Sequence, residues 1–473
     1  MSRLPISALS IRLWKNLCDR FGRSGVVLLA AMVLLLIGSA TFALRAETPW
    51  GRTVQKRLEK QQPLQPKEYA VIGLWWAAVV NTGVLATLLG CAGYWMPKPN
   101  TDGSSSDADA TGAASKPQRW MVLLLIAAVG FAAWERWPRL SHSYWNDEAY
   151  MMHRFAHGAW EEGGDGRLTF EPVTWTNTLF ENRNGNNHLL NSLFTRCTLD
   201  AWRAFTGAPR ESFDETVTRF VPMLAGLGSL ALVFALGCQV GSPLSGVAAA
   251  WLLAMHPWHI RYSVELRGYA LLLFFLTLAL WALCRAWQTD RLRWWVLFAL
   301  SEGLFLLSFA GALYVALVLN VLLSIELLAR WDLARLRRLI AFNSLAAVPV
   351  LQWMLPSIPQ LLQFLKETHT HYVIDRGLWF RDLGSVLAVG WPYESTYPEA
   401  HVGTDWKHVV GHFLTPPWGT VALLGGLMLA GVAYASWRNR QARLIVLAPL
   451  LGALVTIAMS LKPGSVMIVW YLI

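Results

Sequence analysis

The chain has 473 residues, of which 55% are hydrophobic and only 15% charged, with a net charge of +10 and a mean hydropathy of +0.37. A soluble domain carries about a quarter charged residues, so this composition excludes an ordinary soluble protein and points to the polytopic membrane class. The excess of positive charge is no nucleic-acid signal, because the basic residues gather in short loops beside apolar runs, where they set topology.

The N-terminal stretch is basic, with Arg3, Arg12, Lys15, Arg20 and Arg23 against Asp19, and it precedes an apolar run over residues 25–44. That run exceeds the apolar core of a signal peptide and has no small-residue cleavage site close behind it, so it reads as a first span with a cytoplasmic N-terminus. A polar segment containing Lys56, Arg57 and Lys60 leads to a second span over residues 69–95. Residues 97–118, with Thr101-Asp102-Gly103-Ser104-Ser105-Ser106-Asp107, hold almost no apolar side chains and read as a flexible linker. The expected division is a two-span N-terminal appendage (1–96), the linker (97–118) and a main transmembrane domain (119–473).

In the main domain a third span covers residues 120–137, and residues 138–218 form a long loop without a spanning run. Loops of this length are functional or carry short elements of their own. Early in it stands Tyr144-Trp145-Asn146-Asp147-Glu148-Ala149-Tyr150. Burying one charge at mid-bilayer costs roughly 2.5–3.5 kcal/mol on insertion scales, so the Asp147-Glu148 pair belongs at a watery or polar membrane boundary. Glu161, Glu162 and Asp165 lie in a Gly-rich stretch that reads as a solvated turn, with cation binding the minority reading. The segment from His188 to Phe194 reads as the start of an interfacial amphipathic helix.

Further spans are expected over 220–240, 244–260, 269–287, 294–309, 312–328 and 339–355, then a second large external loop over 356–418, and last two spans over 421–437 and 444–461. Arg285, Arg291 and Arg293, then Arg330, Arg335, Arg337 and Arg338, then Arg438, Arg440 and Arg443 all fall on the cytoplasmic side if the N-terminus is inside. The same count puts Asp147-Glu148 on the external, periplasmic face of an inner or plasma membrane. Within spans or at their edges sit Glu302, close enough to Trp294-Trp295 to snorkel, and Glu326; intramembrane acids are functional candidates by default. His369, His371, Asp375, Arg376, His401, His408 and His412 in the second loop match no metal spacing and read as solvated. The 26 Trp fit interfacial belts, and the 5 Cys are too scattered for a disulfide framework. Residues 466–473 are apolar but too short for a span, which suggests a truncated chain.

The second informative stretch is His256-Pro257-Trp258-His259-Ile260-Arg261-Tyr262-Ser263-Val264-Glu265-Leu266-Arg267-Gly268-Tyr269, which joins an outward span to an inward one. Pro257 interrupts or kinks the outgoing helix, and Arg261 and Glu265 are at i,i+4, an arrangement that by itself is equally a surface ion pair. With Arg219-Phe220-Val221-Pro222 and the Gly-containing span after it, this stretch resembles the lipid-linked-sugar glycosyltransferases of the GT-C superfamily, nearest the protein O-mannosyltransferase and aminoarabinose-transferase-like group. His256 stands where that group usually has a small residue. Asn187-His188-Leu189-Leu190 resembles its first-loop segment, with Leu189 in place of a Pro, and Asp147-Glu148 matches its early acidic pair. The resemblance covers residues 120–470 and leaves out the first two spans.

The resemblance implies an all-α, GT-C type helical bundle whose large external loops carry interfacial helices. It implies sugar transfer, with inversion, from a polyprenyl-phosphate donor to a protein, glycan or lipid acceptor. By carry-over Asp147 is the general base, and Glu148 orients the acceptor or contacts a cation. Arg261 and Arg267 supply charge for the leaving phosphate, as Arg suits bidentate phosphate contacts. His259 assists, and His188 and Glu265 complete the substrate-binding set. A divalent cation is another way to supply that charge, although the sequence names no ligands for one. The competing class is a transporter or lipid flippase; no internal repeat supports it, and the large polar loops lie on one face only. A third reading is a noncatalytic relative, against which the retained acidic pair argues.

Overall fold

The computed structural model describes residues 6–97, 117–367 and 439–460, together with positions 426, 430, 431, 433, 434, 436 and 437. The polar loop beyond residue 367 with its seven candidate His, Asp and Arg side chains, most of the linker, most of the 421–437 span and residues 461–473 lie outside the described residues.

The chain is an all-α polytopic protein. Seven described helices are long and apolar enough to cross a membrane: Trp14–Arg45, Pro66–Gly90, Arg119–Arg139, Glu215–Val240, Tyr269–Thr289, Ala312–Ala329 and Leu333–Phe364. In α1 (Ile6–Arg45) the backbone breaks at Gly22, whose φ of 71° suits glycine, so the basic leader and the apolar stretch are separate helical pieces. After the short α2 (Arg52–Glu59), α3 (Pro66–Gly90) opens with Pro66 at its start and Glu68 Oε2 accepting from Gln65 N at 2.8 Å. The turn α4 (Ala92–Trp95) ends this part, and α5 (Arg119–Arg136) begins the next.

The long first loop folds into its own elements. They are α6 (Asn146–Met151), which runs on into one wider turn over Met152–Ala156, strands β1 (Gly158–Glu162) and β2 (Leu168–Pro172), α7 (Trp175–Phe180) and α8 (Leu189–Thr206). Trp160 pairs with Phe170 across the antiparallel hairpin. Glu161 and Glu162 therefore belong to a strand rather than to a turn, and only Asp165 sits in the turn, where its Oδ1 accepts from Arg167 N at 3.2 Å. Gly166, at φ 74°, lets the chain reverse there. Helix α8 has the amphipathic form expected of it, with Leu189, Leu190, Thr195 and Leu199 buried.

Helix α9 (Glu215–Val240) is capped by Asp214, whose Oδ1 accepts from Val217 N at 3.0 Å. The span expected over 244–260 is instead two helices, α10 (Pro243–Met255) and α11 (Pro257–Ser263). The physical cause is Pro257. A residue before proline is driven out of the helical region, and His256 sits extended at φ −68°, ψ 121°. The 13 residues of α10 rise only about 20 Å, short of a full hydrocarbon core of about 30 Å. Then follow α12 (Tyr269–Thr289), α13 (Leu292–Ser308), α14 (Ala312–Ala329), α15 (Leu333–Glu367) and α16 (Arg440–Ser460).

Helix α15 corrects a second boundary. Residues 356–367 were expected in a loop, yet they continue the helix through Pro356 and Pro359. Helix α3 holds this extension: a side chain on Gly73 would come within 2.2 Å of Pro356 N. The extension grips the first loop, since Gln360 Nε2 donates to Phe180 O at 2.7 Å and its Oε1 accepts from Asn182 N at 3.0 Å.

The largest apolar cluster runs from Met32 and Leu85 through Leu280, Trp295, Phe305 and Leu319 to Phe342 and Ala448. The two N-terminal spans are therefore seated in the same core as the rest, and Asn81 Nδ2 donates to Val348 O at 3.0 Å to tie α3 to α15. Glu302 does not snorkel. It is buried, its Oε1 accepting from Asn320 Nδ2 at 2.6 Å, and Asn320 Oδ1 accepts from Asn343 Nδ2 at 2.9 Å. Glu326 pairs with Arg330 at 2.6 Å.

Candidate active site

Helix α12 has 21 residues, a rise of about 30 Å. The Arg267-Gly268 segment lies at its start, and Asp290, Arg291 and Arg293 lie just past its end. The candidate residues and the basic turn are thus separated by one bilayer's thickness.

Glu148 is the most heavily bonded of the predicted residues. It is 1% exposed, and its side chain is enclosed by four donors. Oε1 accepts from Arg219 Nε at 2.9 Å and from Leu266 N at 2.7 Å, while Oε2 accepts from Arg219 Nη2 at 2.6 Å and from Trp145 N at 3.3 Å. Arg219 in turn donates to Leu140 O at 2.9 Å and to His142 O, and its guanidinium lies 5.0 Å from the Tyr144 ring centre. Tyr144 donates or accepts with Thr218 Oγ1 at 2.7 Å, and burial holds its phenol well above the ordinary range. A fork-on-carboxylate pair of this kind fixes geometry in both directions. It binds α6, α9 and the segment between α11 and α12 into one unit.

Asp147 is placed differently. Its side chain is 32% exposed, and Oδ2 lies 3.8 Å from Arg267 Nη2. Arg267 is buried, donates from Nη2 to Asn186 Oδ1 at 2.7 Å, and lies 5.7 Å from the Tyr269 ring centre. Asp147 and Arg267, about 120 residues apart in the chain, are brought together because Glu148 locks α6 against Leu266. Arg261 is 47% exposed, pairs with Glu265 Oε1, and stacks between the indoles of Trp145 (5.4 Å) and Trp258 (5.0 Å). Glu265 is buried, and its Oε2 has no hydrogen-bond partner among the described residues; burial pushes its carboxyl up, against the pull of Arg261.

The two histidines do not face this arrangement in the way expected. His188 is the residue before α8, and its Nδ1 accepts from Gly268 N at 2.7 Å. Its ring meets Tyr269 and Phe309 edge-on or tilted, at 5.2 Å from each. Burial, with Arg267 nearby, holds it well below the usual imidazole range, so it is neutral. It therefore positions the Arg267-Gly268 backbone. His259 is engaged elsewhere: Arg136 Nη2 donates to its Nδ1 at 2.8 Å, and its Nε2 meets Ser229 Oγ at 3.0 Å. With Nδ1 accepting from an arginine, the ring proton sits on Nε2. Burial and then Arg136 push His259 down to about 3. It is a strut between α5, α9 and α11, because α11 turns its ring inward.

Four partners were not singled out from sequence. Arg219 and Tyr269 were visible as ends of their motifs but had no role, and Asn186 and Arg136 carried no signal beyond their neighbours. Among the described residues, no three His, Cys, Asp or Glu side chains gather in a set that could hold a metal ion.

The family model described as dolichyl-phosphate-mannose-protein mannosyltransferase matches residues 210–353. That range takes in Arg219, Arg261, Glu265 and Arg267, and leaves Asp147, Glu148, Asn186 and His188 to the loop before it. No curated protein and no solved structure gives a significant match to the chain. The match, on an integral multi-pass helical scaffold, supports a GT-C membrane glycosyltransferase.

Proposed function

We propose that the protein moves a sugar from a polyprenyl-phosphate donor to an acceptor hydroxyl at the external membrane face, with Asp147 as general base. The observation that carries this reading is the division of labour within the acidic pair. Glu148 has both oxygens engaged by Arg219 and two backbone amides, whereas Asp147 is about one-third exposed beside the buried Arg267 at 3.8 Å.

A hydroxyl is a poor nucleophile until a positioned base accepts its proton. In the proposed step the acceptor oxygen bonds to the anomeric carbon while its proton passes to Asp147. The bond from that carbon to the phosphate oxygen breaks, and polyprenyl phosphate leaves with the electron pair. One displacement inverts the anomeric centre. Arg267, fixed by Asn186, and Arg261, held between two indoles and 47% exposed, supply positive charge to the leaving phosphate. Glu148, Arg219 and His188 are positioning residues. Glu265 holds Arg261 and, being buried, is the poorer candidate for the base. The external face is supported by the three basic clusters in the sequence, which mark the opposite side as cytoplasmic.

The deciding experiment incubates the purified full chain with a panel of polyprenyl-phosphate sugars and candidate acceptors, with products identified by mass spectrometry. Wild type should form a glycoside of inverted configuration and Asp147→Asn should form none. Unchanged turnover in Asp147→Asn removes the base assignment, and translocation of lipid without any glycoside removes the transferase in favour of a transporter.

A further inference from the structure

Two neighbouring hollows of about 440 and 280 Å³ open beside the Asp147 helix, and Arg154 and Arg183 line both. Their walls come from distant parts of the chain. The first turn of α3 contributes Lys67, the first loop contributes Asn177, Glu181 and Arg183, and the end of α15 closes the smaller one. Tyr150 lines the smaller hollow and stands at i+3 from Asp147 in α6, so both lie toward one face of that helix. The Tyr150 hydroxyl donates to Asn184 Oδ1 at 3.0 Å, two residues before the Asn186 that holds Arg267.

The charge in these hollows does not balance. Glu181 is the one carboxylate among the described residues lining them, and it is already engaged by Arg154 at 3.0 Å and by Asn177 Nδ2 at 2.9 Å. Neighbouring acids are engaged elsewhere. Glu68 caps Gln65 and lies 3.7 Å from Arg57, and Glu47, within electrostatic reach of Lys67, is bonded to Thr53. Arg183 donates to the neutral amide oxygen of Gln65 at 2.7 Å, and Lys67 is exposed. Two positive charges thus face a polar hollow that also carries Thr174, Thr176 and Asn177. Hydroxyls and amides with spare cationic charge suit a polar ligand bearing an oxyanion, and they do not suit a hydrocarbon tail.

We infer that this cleft holds the acceptor, and that the acceptor is a saccharide carrying a carboxylate or phosphate group. The inference rests on the glycosyl-transfer reading of Asp147. It gives the N-terminal spans a task, since α3 and the Gln65 that caps it lie outside the matched family region yet supply Lys67 and the bond that orients Arg183. Acceptor choice would then depend on parts of the chain that the family region does not include.

The test uses the full chain in detergent and isothermal titration with four probes: trigalacturonate, its methyl ester, glucose 6-phosphate and glucose. At least one anionic probe should bind, with its neutral counterpart about tenfold or more weaker. Lys67→Glu and Arg183→Glu should each weaken that binding about tenfold, a step of about 1.4 kcal/mol. Lys67→Glu alters an exposed side chain and should keep the wild-type melting point, so the result stands even if Arg183→Glu fails to fold. The preferred anion tells carboxylate from phosphate. Equal affinity for charged and neutral probes, no binding of any probe, or binding unchanged in both variants overturns the inference. No donor is present in this measurement, so its failure alongside intact sugar transfer leaves the Asp147 reading standing. Anion binding in a protein that transfers no sugar would instead keep an anion site and remove the acceptor role.

Discussion

Glu148→Gln separates the two roles within the acidic pair. The side chain keeps its shape, and one amide oxygen can still accept from Arg219 Nε and Leu266 N. The new amide group, however, turns two donors toward Arg219 Nη2 and Trp145 N, which were 2.6 and 3.3 Å from the lost acceptor. Removing one member of a buried ion pair destabilises by about 3–5 kcal/mol, and the surviving bonds place this isosteric change near the lower figure, about 3 kcal/mol. Asp147→Asn changes a part-exposed group whose closest cation is 3.8 Å away. Asparagine keeps the shape and removes a contact longer than a hydrogen bond, while Arg267 keeps its bond to Asn186, so this variant should lose less stability than Glu148→Gln. The assay is thermal unfolding of both variants in one detergent, followed by initial transfer rates normalised to folded protein at a temperature where both are folded. Glu148→Gln should lose the more stability and keep measurable turnover, while Asp147→Asn should lose less stability and all turnover. A Glu148→Gln protein that melts like wild type and is as inactive as Asp147→Asn refutes the positioning role and moves the base to Glu148.

Other consequences follow from the same geometry. Arg267→Lys should raise the KM for the polyprenyl-phosphate donor more than that for the acceptor, because a point charge replaces a fork held by Asn186; equal rises in both would argue against a phosphate role. His259, with its pKa depressed to about 3, contributes stability that is fully present above its ordinary value near 6.5 and lost as pH falls from there toward 3. Replacing it with Gln should flatten that acid limb in melting curves recorded between pH 7 and pH 4, and an unchanged limb would refute the assignment. Gly73→Ala would push a methyl to within 2.2 Å of Pro356 N and should destabilise by about 1–3 kcal/mol; a neutral result in thermal unfolding would mean that α3 and α15 separate easily. A cysteine at exposed Glu162, in a background without the native thiols, should react with an impermeant reagent from outside intact cells only, and labelling from the cytoplasm would invert the topology.

The apolar runs, the spacing of basic loops and the Arg219 and His256–Tyr269 motifs were enough to read a polytopic helical transferase from the sequence. Membrane spans are local, since twenty or so apolar residues declare themselves without a partner, and a proline's effect on the residue before it is equally local. The α10–α11 break was legible as a kink at Pro257, though not as a full stop. Other features depended on contacts between distant segments. Helix α15 continues through three prolines because α3 and the first loop hold its far end. Glu302 is buried because Asn320 on the next helix meets it. Nothing in the dipeptide Asp147-Glu148 distinguishes its two carboxylates, and nothing in the string around His259 announces that Arg136 will close it off. Those outcomes are set by which side of a short helix each group occupies and by what packs there. The sequence by itself determined the membrane class and the candidate set. Only the tertiary structure decided which carboxylate is bonded to capacity by Arg219 and two backbone amides, and which is left part-exposed beside Arg267.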